Sequence, residues 1–127
     1  MKKTLILSIL FAGINLAYAQ KTTKVNSQYG TSTQKDKHLE IDGIGHNNSY
    51  TLNGGNAEIS GGSNVITING YVDKLEVSGT DNTVYIDKVT RVIVEGGNNK
   101  VFYKTSPTKA GKPNVSMTGV GNSVKKK

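Results

Sequence analysis

Five times along this chain the pattern apolar-x-apolar-x-Gly-x-x-Asn-x-apolar-x-apolar recurs, in units of 16 to 23 residues that are each too short to enclose a core. The copies are anchored on Asn48, Asn64, Asn82, Asn99 and Asn122, with the glycine three residues earlier at Gly45, Gly61, Gly79, Gly96 and Gly119. Apolar pairs precede each glycine: Ala57 and Ile59, Leu75 and Val77, Val92 and Val94, Val115 and Met117. In the first copy Leu39 and Ile41 stand two residues further back. A second set follows each asparagine: Tyr50 and Leu52, Ile66 and Ile68, Val84 and Ile86, Val101 and Tyr103. Such period-two alternation in β-branched and aromatic residues describes short strands with one buried face, and no helical period competes with it.

A unit of this kind becomes stable only by stacking on its neighbours. The expected fold is therefore all-β, a short parallel β-solenoid of about five coils. Ala57, Leu75, Val92 and Val115 would stack along one interior face, and Ile66, Val84, Val101 and Val124 along another. The glycine supplies the positive φ that a sharp corner needs. The asparagine tolerates the turn and offers an amide to the backbone or to the asparagine one coil above. An antiparallel meander or sandwich is the competing fold, because Gly-Ser-Asn and Gly-Asn-Asn also close hairpins. The whole-unit repeat favours stacking.

The first nineteen residues have the build of a secretory signal: Lys2 and Lys3, an apolar run from Leu5 to Ala17, and the small-residue site Ala17-Tyr18-Ala19. Cleavage before Gln20 would leave one domain exported to the periplasm or beyond. The apolar run is shorter than the roughly 20 residues that span a bilayer, so no transmembrane segment is expected after cleavage. Residues 20–38 are rich in Gln, Lys, Ser and Thr and read as a flexible polar leader, with residues 39–127 as the repeat domain. There is no cysteine, which excludes disulfides, thiolate metal sites and a lipoprotein anchor.

The blocks Val77-Ser-Gly-Thr-Asp-Asn-Thr-Val84, Val94-Glu-Gly-Gly-Asn-Asn-Lys-Val101 and Pro113-Asn-Val-Ser-Met-Thr-Gly-Val-Gly-Asn-Ser-Val124 resemble the bacterial family catalogued as domain of unknown function 3060. The resemblance runs from about Leu39 to Lys125. It implies an exported domain without established activity and brings no catalytic residues with it. Similarity to the solenoid heads of Gram-negative adhesins is looser and rests on the Gly-x-x-Asn repeat.

Catalytic chemistry has little to work with. His38 and His46 are the two histidines, without the spacing of a zinc site or a partner motif for a nucleophile. The sequence therefore predicts a protein that is not an enzyme, with no catalytic, cofactor or metal residues. Glu40, Glu58 and Glu76 occupy one outward slot and would form a carboxylate column: a solvated face, a cation site, or the acids of a sugar-active enzyme. The outward slots of the second strand, Thr51, Thr67, Tyr85, Phe102 and Lys125, place Tyr85 beside Phe102. These two would make an aromatic platform for a glycan or a protein partner, with Ile93 projecting from the first strand of the same region. The connection Lys104 to Asn114 carries Lys104, Lys109 and Lys112, and with the lysines at 125–127 it is where a polyanion would bind.

Three functional readings follow. The first is a non-enzymatic structural or binding module at the cell envelope, meeting glycan, anionic envelope material or itself, with no specific nucleic-acid binding expected. The second is a curli-like fibre subunit, because open solenoid ends template further strands. Against it, Lys126 falls in an inward slot of the last coil, as a cap should. The third is a polysaccharide-active enzyme.

Overall fold

A computed structural model describes residues 29–127; the signal segment and the first nine residues of the leader lie outside them. The described chain is all-β: β1 (Tyr29–Lys35), β2 (His38–Ile44), β3 (Asn47–Asn53), β4 (Asn56–Gly62), β5 (Val65–Thr80), β6 (Thr83–Gly97), β7 (Lys100–Thr105), β8 (Asn114–Val120) and β9 (Ser123–Lys126). From β2 onward every pairing is parallel, so the meander is excluded and the solenoid stands. One face stacks β2, β4, the second half of β5, the second half of β6, and β8. The other stacks β3, the first half of β5, the first half of β6, β7 and β9. Five copies make about four turns rather than five, because the chain passes from first copy to last in four returns.

The interior follows the expected columns. Ala57, Leu75 and Val92 lie in register and fully buried, with Val115 next in line. Ile66, Val84 and Val101 do the same on the other face, with Val124 packed against them. A third, shorter side forms where the register shifts between Ile68 and Tyr71, and there Val72 stacks on Val89 inside. Fully burying one such aliphatic side chain contributes about 1.5–3 kcal/mol, so the columns are the main source of cohesion.

The corners carry a second, polar column. Asn64, Asn82 and Asn99 are completely buried. The Asn82 side chain accepts from the backbone N–H of Asn64 at 3.1 Å and from its amide at 2.9 Å. It donates to the carbonyls of Gly61 and Ser78, both at 3.1 Å, and to the Asn99 side-chain oxygen at 3.0 Å. Asn99 repeats the pattern on Gly79 and Glu95, and Asn122 on Gly96 and Thr118. Each asparagine thus satisfies carbonyls that the corner takes out of the strand ladder, where leaving them unpaired would cost about 1–3 kcal/mol apiece.

The glycines do more than permit a turn. Gly79 has φ of 109°, and a Cβ there would lie 1.9 Å from the Gly61 carbonyl oxygen of the coil below. The same close approach recurs at Gly61, Gly96 and Gly119. The left-handed φ of the corner falls also on the residue just before the asparagine, at Ser63, Asp81 and Asn98, rather than on the asparagine itself.

The first copy is displaced from its sequence assignment. Gly43, not Gly45, stands in register with Gly61, and Leu39 and Ile41 lie opposite Ala57 and Ile59. The ladder position is therefore filled by His46, whose backbone N–H donates to the Asn64 side-chain oxygen at 2.9 Å. Asn48 lies instead on β3, opposite Ile66. Gly45 takes the left-handed place before the ladder residue, with φ of 76°. The placement of Leu39 and Ile41 two residues early was the sign of this shift: the corner is ordinary once histidine is allowed in the asparagine slot.

The leader is also shorter than expected. Tyr29–Lys35, read as flexible, forms β1 and pairs antiparallel with β2 from Tyr29 opposite Ile44 to Lys35 opposite His38. All seven of its residues are exposed, so backbone pairing rather than burial orders it.

Replacing Asn82 with alanine removes the partners of several buried backbone groups and is expected to lower unfolding free energy by about 3 kcal/mol or more. The same change at Asn122, on the last coil, should cost about 1 kcal/mol. Urea denaturation of the two variants checks the ranking. His46→Asn should raise the midpoint, because the imidazole nitrogens are buried without partners whereas an amide there could donate to Asn64 and to the Asp42 carbonyl.

Candidate functional site

The outward columns show what the surface offers. Glu40, Glu58 and Glu76 stack in register as expected, and the column continues through Ile93 to Ser116. Lys74 forms an ion pair with Glu76. Among the described residues no three histidine, aspartate or glutamate side chains converge to hold a metal. Ile93 belongs to this column, in keeping with its place on the first strand of its copy, and not to the column of Tyr85 and Phe102. The two strand halves of β6 turn them to different sides of the coil.

Tyr85 and Phe102 do meet, with ring centroids 5.3 Å apart and planes inclined by 16°. They form a column with Thr67 below and Lys125 above, and the first-coil member is Ser49 rather than Thr51, again because of the shifted first copy. The Lys127 ammonium lies 4.9 Å from the Tyr85 ring centre. Stacking along the solenoid axis covers the mutual faces of the two rings, and faces rather than edges are what a sugar ring stacks on. The pair therefore stabilises the sheet first. Beside it runs an open groove of about 280 Å³ bordered by Asp87, Lys104 and Lys127.

Asp87 and Asp73 hold the third side in place. Asp87 accepts from the Gly70 backbone N–H at 2.9 Å and pairs with Lys104 at 3.0 Å, and these two contacts hold its carboxyl below the ordinary aspartate value. Asp73 is lowered chiefly by a hydrogen bond from Tyr71, and next by the Gly55 backbone N–H at 2.9 Å. Lys104 is thus engaged in the scaffold. Lys109 and Lys112 remain exposed on the connection from Ser106 to Pro113, which is closed by a Thr108 hydroxyl donating to the Lys112 carbonyl at 2.6 Å.

A larger electrostatic feature follows from the winding. All nine acidic residues lie between Asp36 and Glu95, and from Gly96 to Lys127 there are seven lysines and no acid. The described part up to Glu95 carries five lysines and arginines against those nine acids, a net charge of −4. Because sequence order is stacking order in a solenoid, the asymmetry becomes a dipole along the axis: acidic lower coils and a basic last turn. Counting charge by halves of the chain would have shown it, and the total of +7 conceals it.

The two ends also differ in how they are covered. Leu39 and Ile41 on the first coil are fully buried, whereas their last-coil counterparts Val115 and Met117 are 44% and 49% exposed, and Val120 is 80% exposed. At the first coil β1 occupies the edge of β2. The Gln34 side chain, opposite Leu39, reaches across to donate to the Thr51 carbonyl of β3 at 2.7 Å. Among the described residues nothing pairs with the outer edges of β8 and β9. Lys126 does stand in an inward slot, opposite Tyr103, yet it is exposed and leaves Val115 and Met117 open.

Residues 59–121 match the model of a family described as protein of unknown function (DUF3060). The match spans the corners from Gly61 to Gly119, narrower than the stretch over which the repeats resemble that family. Neither a curated protein nor a solved structure matches the chain.

Acid should weaken the third side. Asp87 has a depressed value in the fold, so its stabilisation is present above the ordinary carboxylate value and is lost as pH falls through the lowered one, below about pH 4. In Asp87→Asn the urea midpoint should lie below that of the parent at pH 6, and the difference should shrink toward pH 2.5.

Proposed function

We propose that this chain is an exported, non-enzymatic β-solenoid that serves as a structural and binding module at the cell envelope, meeting anionic material through its basic last turn. The observation that carries this reading is the axial charge separation: seven lysines without a single acid from Gly96 to Lys127, five of them in or leading into the last coil. A cluster of one sign on a rigid end attracts and orients polyanions. The rest of the molecule supports it. The asparagines and glycines that recur are bound into corners, the histidine of the first corner is buried, and the glutamate column faces solvent beside its own lysine.

The fibre reading has one observation in its favour, the uncovered edges of β8 and β9. The other end opposes it. A second copy adding head to tail would need the β2 edge, which antiparallel β1 fills, and Gln34 closes the gap between the faces.

Binding of the mature protein to alginate and to vesicles containing phosphatidylglycerol should be measurable at 50 mM salt, weaken at least tenfold by 300 mM, and be lost in Lys125→Glu/Lys126→Glu/Lys127→Glu. Absence of binding to either, or binding indifferent to the charge reversals, would remove the basic end from the account. Clearance of alginate or another polysaccharide on incubation would make the protein an enzyme.

A further inference from the structure

The last coil is more specific than a basic patch. Among the described residues nothing pairs with one backbone edge of β8 along its seven residues, Asn114–Val120, beside the apolar side chains Val115 and Met117. In every lower coil the same inward positions are sealed by the next strand: Val92 and Val94 are fully buried because β8 lies on them. The open edge thus repeats, one level up, a surface that this fold covers four times with a parallel strand. Charge flanks it on both sides. Lys112 precedes β8, and Lys125 and Lys126 follow it round the corner on β9, all exposed and with no acid anywhere in that turn.

These features together select among anionic partners. A bare polyanion would pair with the lysines but leave Val115 and Met117 wet and the β8 amides without ordered partners. A lipid surface would cover the side chains but offers no register of donors and acceptors. An extended polypeptide supplies all three: backbone groups along the edge, alternate apolar side chains for the floor, and carboxylates for the lysines.

We propose that the last coil is a receptor for an acidic, extended polypeptide segment that adds to β8 as the next strand of the solenoid. The segment is about seven residues long, with apolar residues at alternate positions facing Val115 and Met117 and carboxylates between them and at its ends. A second copy of this chain is a poor occupant, because apposing two last turns would bring lysines against lysines. The inference rests on the binding-module reading and narrows its partner from anionic material in general to an acidic strand.

The test uses the mature protein and a capped, dye-labelled peptide alternating glutamate and valine over seven residues. Fluorescence anisotropy should show saturable binding that weakens at least tenfold between 50 and 300 mM salt, and a peptide with lysine in place of glutamate should not bind. On binding, hydrogen exchange should slow at β8 amides and not at those of β1, at the opposite end of the stack. Met117→Asp should weaken binding at least tenfold; since it touches the core end, Lys125→Glu/Lys126→Glu, at exposed positions, must do the same with an unchanged urea midpoint. Peptide binding without protection of β8, or binding equal in the charge-reversed variant, overturns the proposal. Retained binding to alginate or phosphatidylglycerol vesicles with none to the peptide overturns the strand while leaving the anionic reading intact, and loss of all three overturns both.

Discussion

A parallel coil of 17 or 18 residues has to turn sharply, and at each turn backbone carbonyls leave the strand ladder with no partner in their own coil. The buried asparagine column answers that constraint. Asn64, Asn82, Asn99 and Asn122 each donate to the carbonyl four residues earlier and to the corner glycine of the coil below, and each of the first three passes its backbone N–H to the next asparagine. Apart from the bond to the carbonyl four residues earlier, these bonds join one coil to the next, so corner satisfaction and stacking are largely the same event. The glycine column depends on it in turn: only with the corner drawn in this closely does a glycine α-carbon approach the carbonyl below to where a Cβ would overlap it. Hydrophobic columns supply most of the cohesion, but they would tolerate a slip in register that the asparagines do not.

The repeat itself was legible because its periodicity is written in residue types. Apolar alternation placed the strands, and the identical position of glycine and asparagine in each unit made stacking the economical explanation, so the interior columns emerge in the expected order. What escaped was the copy in which a rule is broken. His46 replaces asparagine, and an alignment led by asparagine slides to Asn48, carrying Gly45 and Thr51 with it. The apolar pair Leu39 and Ile41 held the true register. β1 escaped for another reason: a strand whose side chains are all exposed has no hydrophobic signature, and its order comes from backbone pairing with a preformed edge.

The surface was legible in part. Column membership follows from register, so the glutamates stack and Tyr85 meets Phe102. Which way a column faces depends on the side of the coil, and that separates Ile93 from the aromatic pair. Column geometry also decides what an aromatic pair can do. Rings stacked along the axis occupy each other's faces, and Lys127 sits over Tyr85, so the arrangement that makes the pair visible in sequence also reduces its use as a platform.

In a stacked repeat the sides and the ends are different kinds of surface. Along the sides each side chain has a neighbour one coil away, and pairing with that neighbour absorbs much of its capacity, as the aromatic stack shows. At an end there is no further coil, and backbone edge, apolar interior and asparagine column meet solvent unless something else covers them. A solenoid must therefore treat its two ends as special cases. Here the treatments are opposite among the described residues: the acidic end receives an antiparallel strand and a glutamine that bridges the two faces, while at the basic end valine and methionine are half-exposed beside an edge with no strand on it. Since a coil's position in the stack is its position in the sequence, a run of lysines without acids is automatically an end feature. Charge and open edge are thereby brought to one place by the winding alone, without any residue of the repeat being diverted from holding the coils together.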